Sequence, residues 1–526
     1  MPKLTIDGRE IEFAPGATVI EAAAAAGITI PHYCWHPGLS VAGNCRMCLV
    51  EIEKMPKLVI ACATKAAPDM VVTTNNERVR KARGAIEEFL LINHPLDCPI
   101  CDQAGECRLQ EYSYRYGTSA SRFVEQKVHK PKTVDIGPHI VFDAERCILC
   151  SRCVRFCQEV SKTAELTIAE RSDHAIIETF PGRALDNPYS GNTVDICPVG
   201  ALTLKEFRFK QRVWFLKNTD SVCPGCARGC SIVAGVGRDR ILRYVPRLNP
   251  AVNGWWMCDE GRLSYQKLQA GIRIPQPAGR GTGPLTWAAA VEEAAARLRR
   301  ARERHGPAAV AILASPRMTN EDLHVLFLLA GRALPGAPIF LARHERGEDD
   351  AILIRRDKSP NSRGTREILG QARPAEDLPA EIRSGKVAAL LMAGHTMTGM
   401  EDDPPLAEED LRAVEALVLV DSFETAASGA AAVVLPALAF GEHEGTFTNF
   451  TGQVQRVRAA LPPQADAWPA WRILQEIGAR LAGTEMPRFA GAQAVFKSLA
   501  GSAPPYAGLS YARLGEQGAP LGPGTP

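Results

Sequence analysis

The stretch HYCWHPGLSVAGNCRMCLVEIE (His32–Glu53), with the cysteines that follow it, decides how this chain is read. It supplies Cys34, Cys45 and Cys48, and Cys62 follows in LVIACAT, giving C-x10-C-x2-C-x13-C. Gly43, just before Cys45, suits a loop whose backbone passes close to sulfur. All 16 cysteines of the 526-residue chain lie between Cys34 and Cys258. Thiolates bunched two or three to a loop, with a distant one closing the set, are the ligand pattern of iron–sulfur clusters. Four cysteines also suit zinc. Zinc usually takes two CxxC knuckles, however, and this set has one, so [2Fe–2S] is favoured here. Around the set, LTIDGREIEF reads as a hairpin turning at Asp7–Gly8, and ATVIEAAAAAG as a short helix closed by Gly27. A small β-rich domain with one helix is expected over residues 1–78.

Working outward, residues 79–118 open with RVRKARGAIEEFLLINH, a helix with Ile86, Leu90 and Leu91 along one side. It runs into HPLDCPICDQAGECRLQ, where His94, Cys98, Cys101 and Cys107 form H-x3-C-x2-C-x5-C. Imidazole suits iron as well as zinc, and the company of other cysteine sets favours iron. The histidines His32, His129 and His324 have no such company and read as surface or hydrogen-bonded groups. His36, close to Cys34, is the one other histidine whose position is suggestive.

Residues 138–216 carry VFDAERCILCSRCVRFC, with Cys147, Cys150, Cys153 and Cys157, and then NTVDICPVGAL, with Cys197. The two-cluster run is C-x2-C-x2-C-x3-C-P, and two clusters need eight cysteines. Five are present and Cys157 precedes Gln158, so one [4Fe–4S] is expected on Cys147, Cys150, Cys153 and Cys197. Cys157 is the spare, read as a buried thiol packing as a small apolar group. Residues 217–272 hold SVCPGCARGC and GWWMCDEGR, so that Cys223, Cys226, Cys230 and Cys258 form C-x2-C-x3-C-x27-C. Gly225 and Gly229 free that loop to fold tightly.

From residue 273 the composition turns to Ala, Leu, Gly and Pro. AAVAILAS, APIFL, VAALLMAG and EALVLVD are short apolar runs alternating with helical stretches such as NEDLHVLFLLAGRAL, the pattern of a parallel α/β sheet. Gly279, Gly281 and Gly283 follow no strand and sit among Pro and Arg, so a linker is expected rather than a nucleotide loop. His443–Glu444 is not HExxH. From Gly515 the tail EQGAPLGPGTP is Gly/Pro-rich and expected to be disordered.

The bulk numbers narrow the function further. A net charge of +2 argues against a nucleic-acid partner. The longest apolar run, Ala430–Phe440, is broken by Pro436 and falls short of the ~18–20 residues that span a bilayer, so no direct membrane span is expected. The opening MPKLTIDGREIEF has no apolar h-region of the secretory kind, so the cysteines are expected as metal ligands rather than disulfides. No dinucleotide fingerprint, nucleophile or general base stands out, and no catalytic residue is assigned.

The opening C-x10-C-x2-C-x13-C followed by H-x3-C-x2-C-x5-C resembles the N-terminal half of the large iron–sulfur subunit (75-kDa type) of bacterial NADH:quinone oxidoreductase, respiratory complex I. The same opening occurs in [FeFe] hydrogenases, NAD-linked formate dehydrogenases and diaphorase subunits of NAD-reducing hydrogenases. The lone cluster set of residues 138–216, closed in ICPVGAL, is similar to the complex I subunit, whereas NAD-linked formate dehydrogenases normally keep two clusters there. The fourth set resembles the [4Fe–4S] domain that opens molybdenum/tungsten bis-pterin enzymes. It also resembles the extra cluster of some complex I large subunits. GEHEGTFTNFTGQVQRV (Gly441–Val457) resembles a pterin-enzyme segment.

The resemblance implies an α+β multi-domain chain. It would comprise a β-grasp [2Fe–2S] ferredoxin (1–78), a helical [4Fe–4S] segment with one His and three Cys ligands (79–118), and a [4Fe–4S] ferredoxin module (138–216). A [4Fe–4S] domain of molybdopterin-oxidoreductase type (217–272), an α/β molybdopterin-oxidoreductase-like domain (273–514) and the tail (515–526) would follow. One [2Fe–2S] and three [4Fe–4S] clusters are implied. No molybdopterin is expected, since no Cys follows Cys258 and that half is short. The implied partners are a flavin/NADH-binding subunit with a small [2Fe–2S] subunit, a ferredoxin-type two-cluster [4Fe–4S] subunit and other peripheral-arm subunits. The implied place is the cytoplasmic side of the bacterial inner membrane, as a peripheral part of a membrane-bound complex. Electrons would pass from the flavin to the [2Fe–2S], then the Cys147 set, then the His94 set, with the Cys223 set off that line. The alternatives are a molybdenum/tungsten oxidoreductase, such as a formate dehydrogenase catalytic subunit, and a relay subunit of an NAD-linked hydrogenase.

Overall fold

The first hairpin forms because its turn residues tolerate left-handed backbone. Strands β1 (Lys3–Ile6) and β2 (Arg9–Glu12) pair antiparallel across Asp7 and Gly8, at φ 48° and 78°. In this computed structural model, which describes residues 1–370, 372–399 and 406–522, the chain divides into two units, Met1–Leu216 and Lys217–Pro526.

In the first unit, α1 (Val19–Ala25) starts at Thr18, whose backbone N–H and hydroxyl both donate to the Glu21 carboxylate, at 2.7 and 2.9 Å. Strands β3 (Leu49–Ile52), β4 (Val59–Ile60) and β5 (Val71–Thr73) complete a sheet of order β2-β1-β5-β3-β4, with β1 and β5 parallel. Leu4, Ile6, Val19, Ile20, Val50, Ile52 and Val72 make its core, and Cys48 and Cys62 sit inside it. This is the β-grasp arrangement.

Helix α2 (Glu77–Leu91) is capped by Asn76, which accepts the Val79 N–H at 2.9 Å. The residues it buries are not the apolar side named from the sequence. Ile86, Leu90 and Leu91 are half-buried, whereas Val79, Arg83 and Glu87 are fully buried. The reason is what faces them. Arg83 donates to Met47 O (3.2 Å), Leu49 O (2.9 Å) and the Tyr116 hydroxyl (3.3 Å), while Glu87 accepts from the Tyr33 hydroxyl at 2.5 Å. The helix therefore grips both ligand-bearing loops of the β-grasp domain through polar groups. Helix α3 (Arg108–Tyr116) packs beside it, Tyr112 ring to Tyr33 ring at 5.3 Å.

The ferredoxin-like part comprises β6 (Val134–Asp135), β7 (Ile140–Phe142), α4 (Arg152–Glu159), β8 (Leu166–Ala169), β9 (Ile176–Thr179), α5 (Asn192–Asp195) and β10 (Leu202–Leu204). Strands β10, β7 and β6 form an antiparallel sheet, and β8 and β9 a hairpin.

The second unit begins with a meander, β11 (Lys217–Val222), β12 (Ser231–Gly237) and β13 (Arg240–Pro246), followed by α6 (Asp259–Ala270). The glycine-rich stretch after it is not a free linker. Ala278–Gly279 (β14) and Gly283–Pro284 (β15) form a small hairpin around Gly281, at φ 78°, and β14 pairs with a strand of the main sheet. That sheet contains β16 (Val310–Ala314), β17 (Ile339–Leu341), β18 (Arg373–Pro374), β19 (Ala389–Ala393), β20 (Ala416–Asp421) and β21 (Val433–Pro436). Its order is β15-β14-β21-β20-β19-β16-β17-β18, parallel from β21 to β18. Successive residues of β16, β19 and β20 point to two separate cores. Ile312, Leu391 and Val418 pack with α7 (Trp287–His305), α8 (Asn320–Arg332) and the helix Ala470–Ala482; Leu313, Leu390 and Leu419 pack with Leu378, Ile382 and Leu411. Strands covered on both faces read as continuous apolar runs, as these do.

The tail also differs from the expectation drawn from its composition. Gly515, at φ 53°, ends the helix Tyr511–Leu514, Gly518 N–H donates to Leu514 O at 2.8 Å, and Ala519–Pro520 pairs antiparallel with Gln453–Val454. Backbone hydrogen bonds to the neighbouring strand hold residues that composition alone marks as loose. Residues 523–526 lie outside the described residues. Among the described residues no helix is long and apolar enough to cross a membrane.

Candidate metal centres

In the first set Cys34, Cys48 and Cys62 are buried and Cys45 is half-buried. The sulfurs meet in two pairs, Cys34 with Cys45 and Cys48 with Cys62. The hydrogen bond from its partner lowers Cys34 to about 5 and also lowers Cys62. The same bonds, with burial, raise Cys45 and Cys48. Each pair thus favours one thiolate, the ligating form. Cys34 N–H points at the Cys45 sulfur at 3.4 Å.

In the second set Cys101 is buried, Cys107 half-buried and Cys98 exposed. Burial raises Cys107 to about 11, with Cys101 and Cys98 adding to it, so the three sulfurs share one neighbourhood. His94 follows α2. Burial, then the charges of Lys127 and Arg146, lower it to about 4, which leaves the imidazole neutral and able to ligate. Arg146 acts on both His94 and Cys101. No contact places the His94 ring against the three sulfurs; what joins them is this shared surrounding.

The third set lines one pocket: Cys147, Cys150, Cys153 and Cys197, with Phe142, Ile177, Leu202 and Arg152. Burial raises all four thiols, Cys150 to about 11. Leu149 and Ser151 take left-handed backbone, φ 52° and 61°, which curls the loop around that space. Cys157 is fully buried on α4, does not line the cavity, and has its thiol raised to about 12 by burial.

The fourth set, Cys223, Cys226, Cys230 and Cys258, is wholly buried and lines a second pocket. Cys258 stands at the start of α6, where Gly261 N–H reaches its sulfur at 3.3 Å. A Cβ on Gly261 would lie 2.9 Å from the Cys223 sulfur. Lys358 and Glu260 line the same cavity and pair at 2.8 Å.

The donors are soft sulfurs with one imidazole. At the third and fourth sets four sulfurs line one shared pocket. This fits polynuclear iron–sulfur clusters better than zinc.

The structure also shows how the first three sets connect, which the sequence did not. Arg152 donates to Trp35 O (2.5 Å) and Ile196 O (2.9 Å), so it ties the residue after Cys34 to the residue before Cys197. Arg155 donates to Cys34 O (2.5 Å) and Cys150 O (3.5 Å). On the other side, Arg108 N–H donates to Pro198 O (3.1 Å), and Gly200 lies so close to Cys101 that a Cβ there would be 2.2 Å from its sulfur. Arg146 joins Asp97 at 2.8 Å. The Cys147 set therefore sits between the other two. The signal that could have found this is the row of arginines in ERCILCSRCVRFC. His32 and His36 prove to be half-buried. Arg108 lies 2.7 Å from the His32 Nε2, and His36 Nδ1 accepts the Gly38 N–H at 3.1 Å.

Comparison with known proteins shows what the chain is similar to. Residues 2–77 match a 2Fe-2S iron-sulfur cluster binding domain. Residues 83–122 match the NADH-ubiquinone oxidoreductase-G iron-sulfur binding region, and residues 137–203 the ferredoxin-like domain of NADH-quinone oxidoreductase subunit 3. The chain is similar to the G-type subunit of NADH-quinone oxidoreductase. It is 45% identical to that subunit from Rickettsia bellii over 55% of this chain and 42% of that protein. It is 45% identical to the mitochondrial NADH-ubiquinone oxidoreductase 78 kDa subunit of Candida albicans, over 51% of this chain and 37% of that one. Identity to the 75 kDa subunit of Reclinomonas americana is 43%, over 55% and 42%. The matches thus span less than half of each relative's length. Residues 216–270 match the molybdopterin oxidoreductase Fe4S4 domain and residues 364–480 molybdopterin oxidoreductase. Among solved structures, a chain of an NAD+-reducing [NiFe]-hydrogenase is 34% identical over 40% of this chain and 91% of that one, with a TM-score of 0.37.

Proposed function

We propose that this chain is an electron-relaying iron–sulfur subunit of an NADH:quinone oxidoreductase. In it, Cys34, Cys45, Cys48 and Cys62 hold a [2Fe–2S] cluster. His94 with Cys98, Cys101 and Cys107, Cys147 with Cys150, Cys153 and Cys197, and Cys223 with Cys226, Cys230 and Cys258 hold [4Fe–4S] clusters. Such clusters accept and release single electrons. The observation that carries the reading is the serial linkage of three ligand sets within one unit, through Arg152 and Arg155 on one side and through Pro198 and Gly200 on the other. A storage or zinc protein has no need of such linkage.

The chain's residues serve this role by binding, spacing and shielding. The fourth set is wholly buried, and in the third Cys150 is buried and the other three cysteines are half-buried, which limits side reactions with water. At the second set, Cys98 is exposed, and Leu96 (89% exposed), Ile100, Phe209 and Trp214 form an apolar rim in the same region. Arg212 ties Trp214 to Cys101 O, through its ring and a 2.6 Å hydrogen bond. Exposed aromatic and aliphatic groups beside a ligand loop suit a protein partner that takes electrons there. We assign the flavin/NADH-oxidising subunit to the Cys34 end and a ferredoxin-type subunit to this end, with the chain peripheral to the membrane. The test is reduction by NADH. The loaded chain alone should stay oxidised with NADH and become reduced when the flavin subunit is added. Reduction by NADH without that subunit, or reduction by formate, would overturn the proposal.

A further inference from the structure

Helix α4 presents Arg152, Arg155 and Glu159 to the loop that carries Cys34 and Cys45. Glu159 accepts from Ser40 N–H (2.8 Å) and its hydroxyl (2.5 Å), and Arg155 donates to Ser40 O. Asn44 adds a bond to Leu149 O at 3.1 Å from the opposite side. Arg152 and Arg155 are 4% and 8% exposed. Their hydrogen bonds go to carbonyls and one hydroxyl, and among the described residues neither forms an ion pair with a carboxylate. Arg146, by contrast, is held by Asp97 and Asp143. A buried guanidinium without a counter-ion is strongly unfavourable unless negative charge is supplied nearby. For Arg152 the thiolates of Cys150, Cys197 and Cys34 supply such charge, and Glu159, one turn along the helix from Arg155, meets it through their shared contacts with Ser40.

We propose that Arg152 and Arg155 form a shared cationic bridge that raises the reduction potentials of both the Cys34-set and Cys147-set clusters and fixes the spacing between them. This rests on the reading of those sets as iron–sulfur ligands. The bridge is two-sided: one Arg155 nitrogen meets carbonyls of Cys34 and Cys150, one ligand from each set. Positive charge fixed beside both stabilises the added electron on either, so reduction of both becomes easier. Because the groups are desolvated, salt screens the effect little. These are positioning residues; neither is a ligand.

The experiment is an EPR-monitored redox titration of the full chain, loaded anaerobically, with iron and sulfide assayed on every sample. Arg155→Gln and Arg152→Gln should retain iron and move both midpoints to more negative values, with the double variant moving them further. Arg155→Lys keeps the charge and should return both midpoints toward the parent while leaving the Cys34–Cys150 contact unmade. Iron retained with neither midpoint moved, or with only one moved, overturns the shared bridge. If Arg155→Gln fails to hold iron, Arg155→Lys decides: a loaded lysine variant with both midpoints shifted negative contradicts the charge role, and parental midpoints support it. A parent chain that takes up no iron would refute the ligand reading itself, a different failure.

Discussion

At the scale of single residues, the chemistry turns on which groups sit beside sulfur. In the proposed His94 set a neutral imidazole stands where a fourth thiolate would be negative, so that cluster should be easier to reduce than an all-cysteine one. His94→Cys is expected to keep a cluster with a lower midpoint, and an unchanged midpoint in a redox titration would contradict that. Gly200 is a purely steric case: its φ is not in the left-handed region, but a Cβ would stand 2.2 Å from the Cys101 sulfur. Gly200→Ala should displace that thiol and lose the His94-set cluster, about four irons per chain. Iron assay and EPR check this, and full iron content would show that the two loops are not in contact. The proposed ligand positions were all readable from sequence, because a cluster imposes its own spacing on nearby cysteines. The arginine bridge and the Gly200 contact were not, since neither has a local pattern: each depends on a partner more than 90 residues away in sequence.

At the scale of elements, the strands of the large sheet were legible because continuous apolar runs bounded by turns have few other uses. Helix α2 was legible as a helix and misleading as a surface. Its apolar side is half-buried, and its buried face is Arg83 and Glu87, which the carbonyls of Met47 and Leu49 and the Tyr33 hydroxyl satisfy. Periodicity cannot reveal partners of that kind. Arg83→Leu leaves two carbonyls unsatisfied and should destabilise the first unit by about 1–3 kcal/mol, measured by denaturant unfolding. In the second unit, Glu321 opens α8 with its carboxyl fully buried, accepting from Thr446 N–H (2.7 Å) and the Tyr511 hydroxyl (2.9 Å). Burial raises it from 4.5 to about 8. The folded state therefore holds this proton more tightly than the unfolded chain. Stability from this group is full below about pH 4.5, falls through the window up to about 8, and is level above it, with a slope of at most about 1.4 kcal/mol per pH unit. Glu321→Gln should flatten melting temperature against pH in that window and make the variant the more stable form above pH 8. An unaltered pH profile would contradict the assignment.

At the scale of the whole molecule, two units carry unequal roles. The first unit links three ligand sets in a row, with the Cys147 set in the middle. The second sets a single buried ligand set on a β-meander before a large α/β sheet. The fold class was legible in the sequence from cysteine spacing and apolar runs. The order of the sets was not, since it follows from packing between loops. The Gly/Pro-rich tail was misjudged because its backbone bonds to a strand about 65 residues earlier, as the pairing of Val454 with Ala519 shows. The measurement that tests electron relay most directly is metal and labile sulfide content of anaerobically purified chain, followed by EPR after dithionite reduction. The expected result is about 14 irons per chain, no zinc and no molybdenum, with a [2Fe–2S] signal beside [4Fe–4S] signals. Zinc in place of iron would contradict electron relay altogether, and near-stoichiometric molybdenum or tungsten would move the chemistry to the second unit.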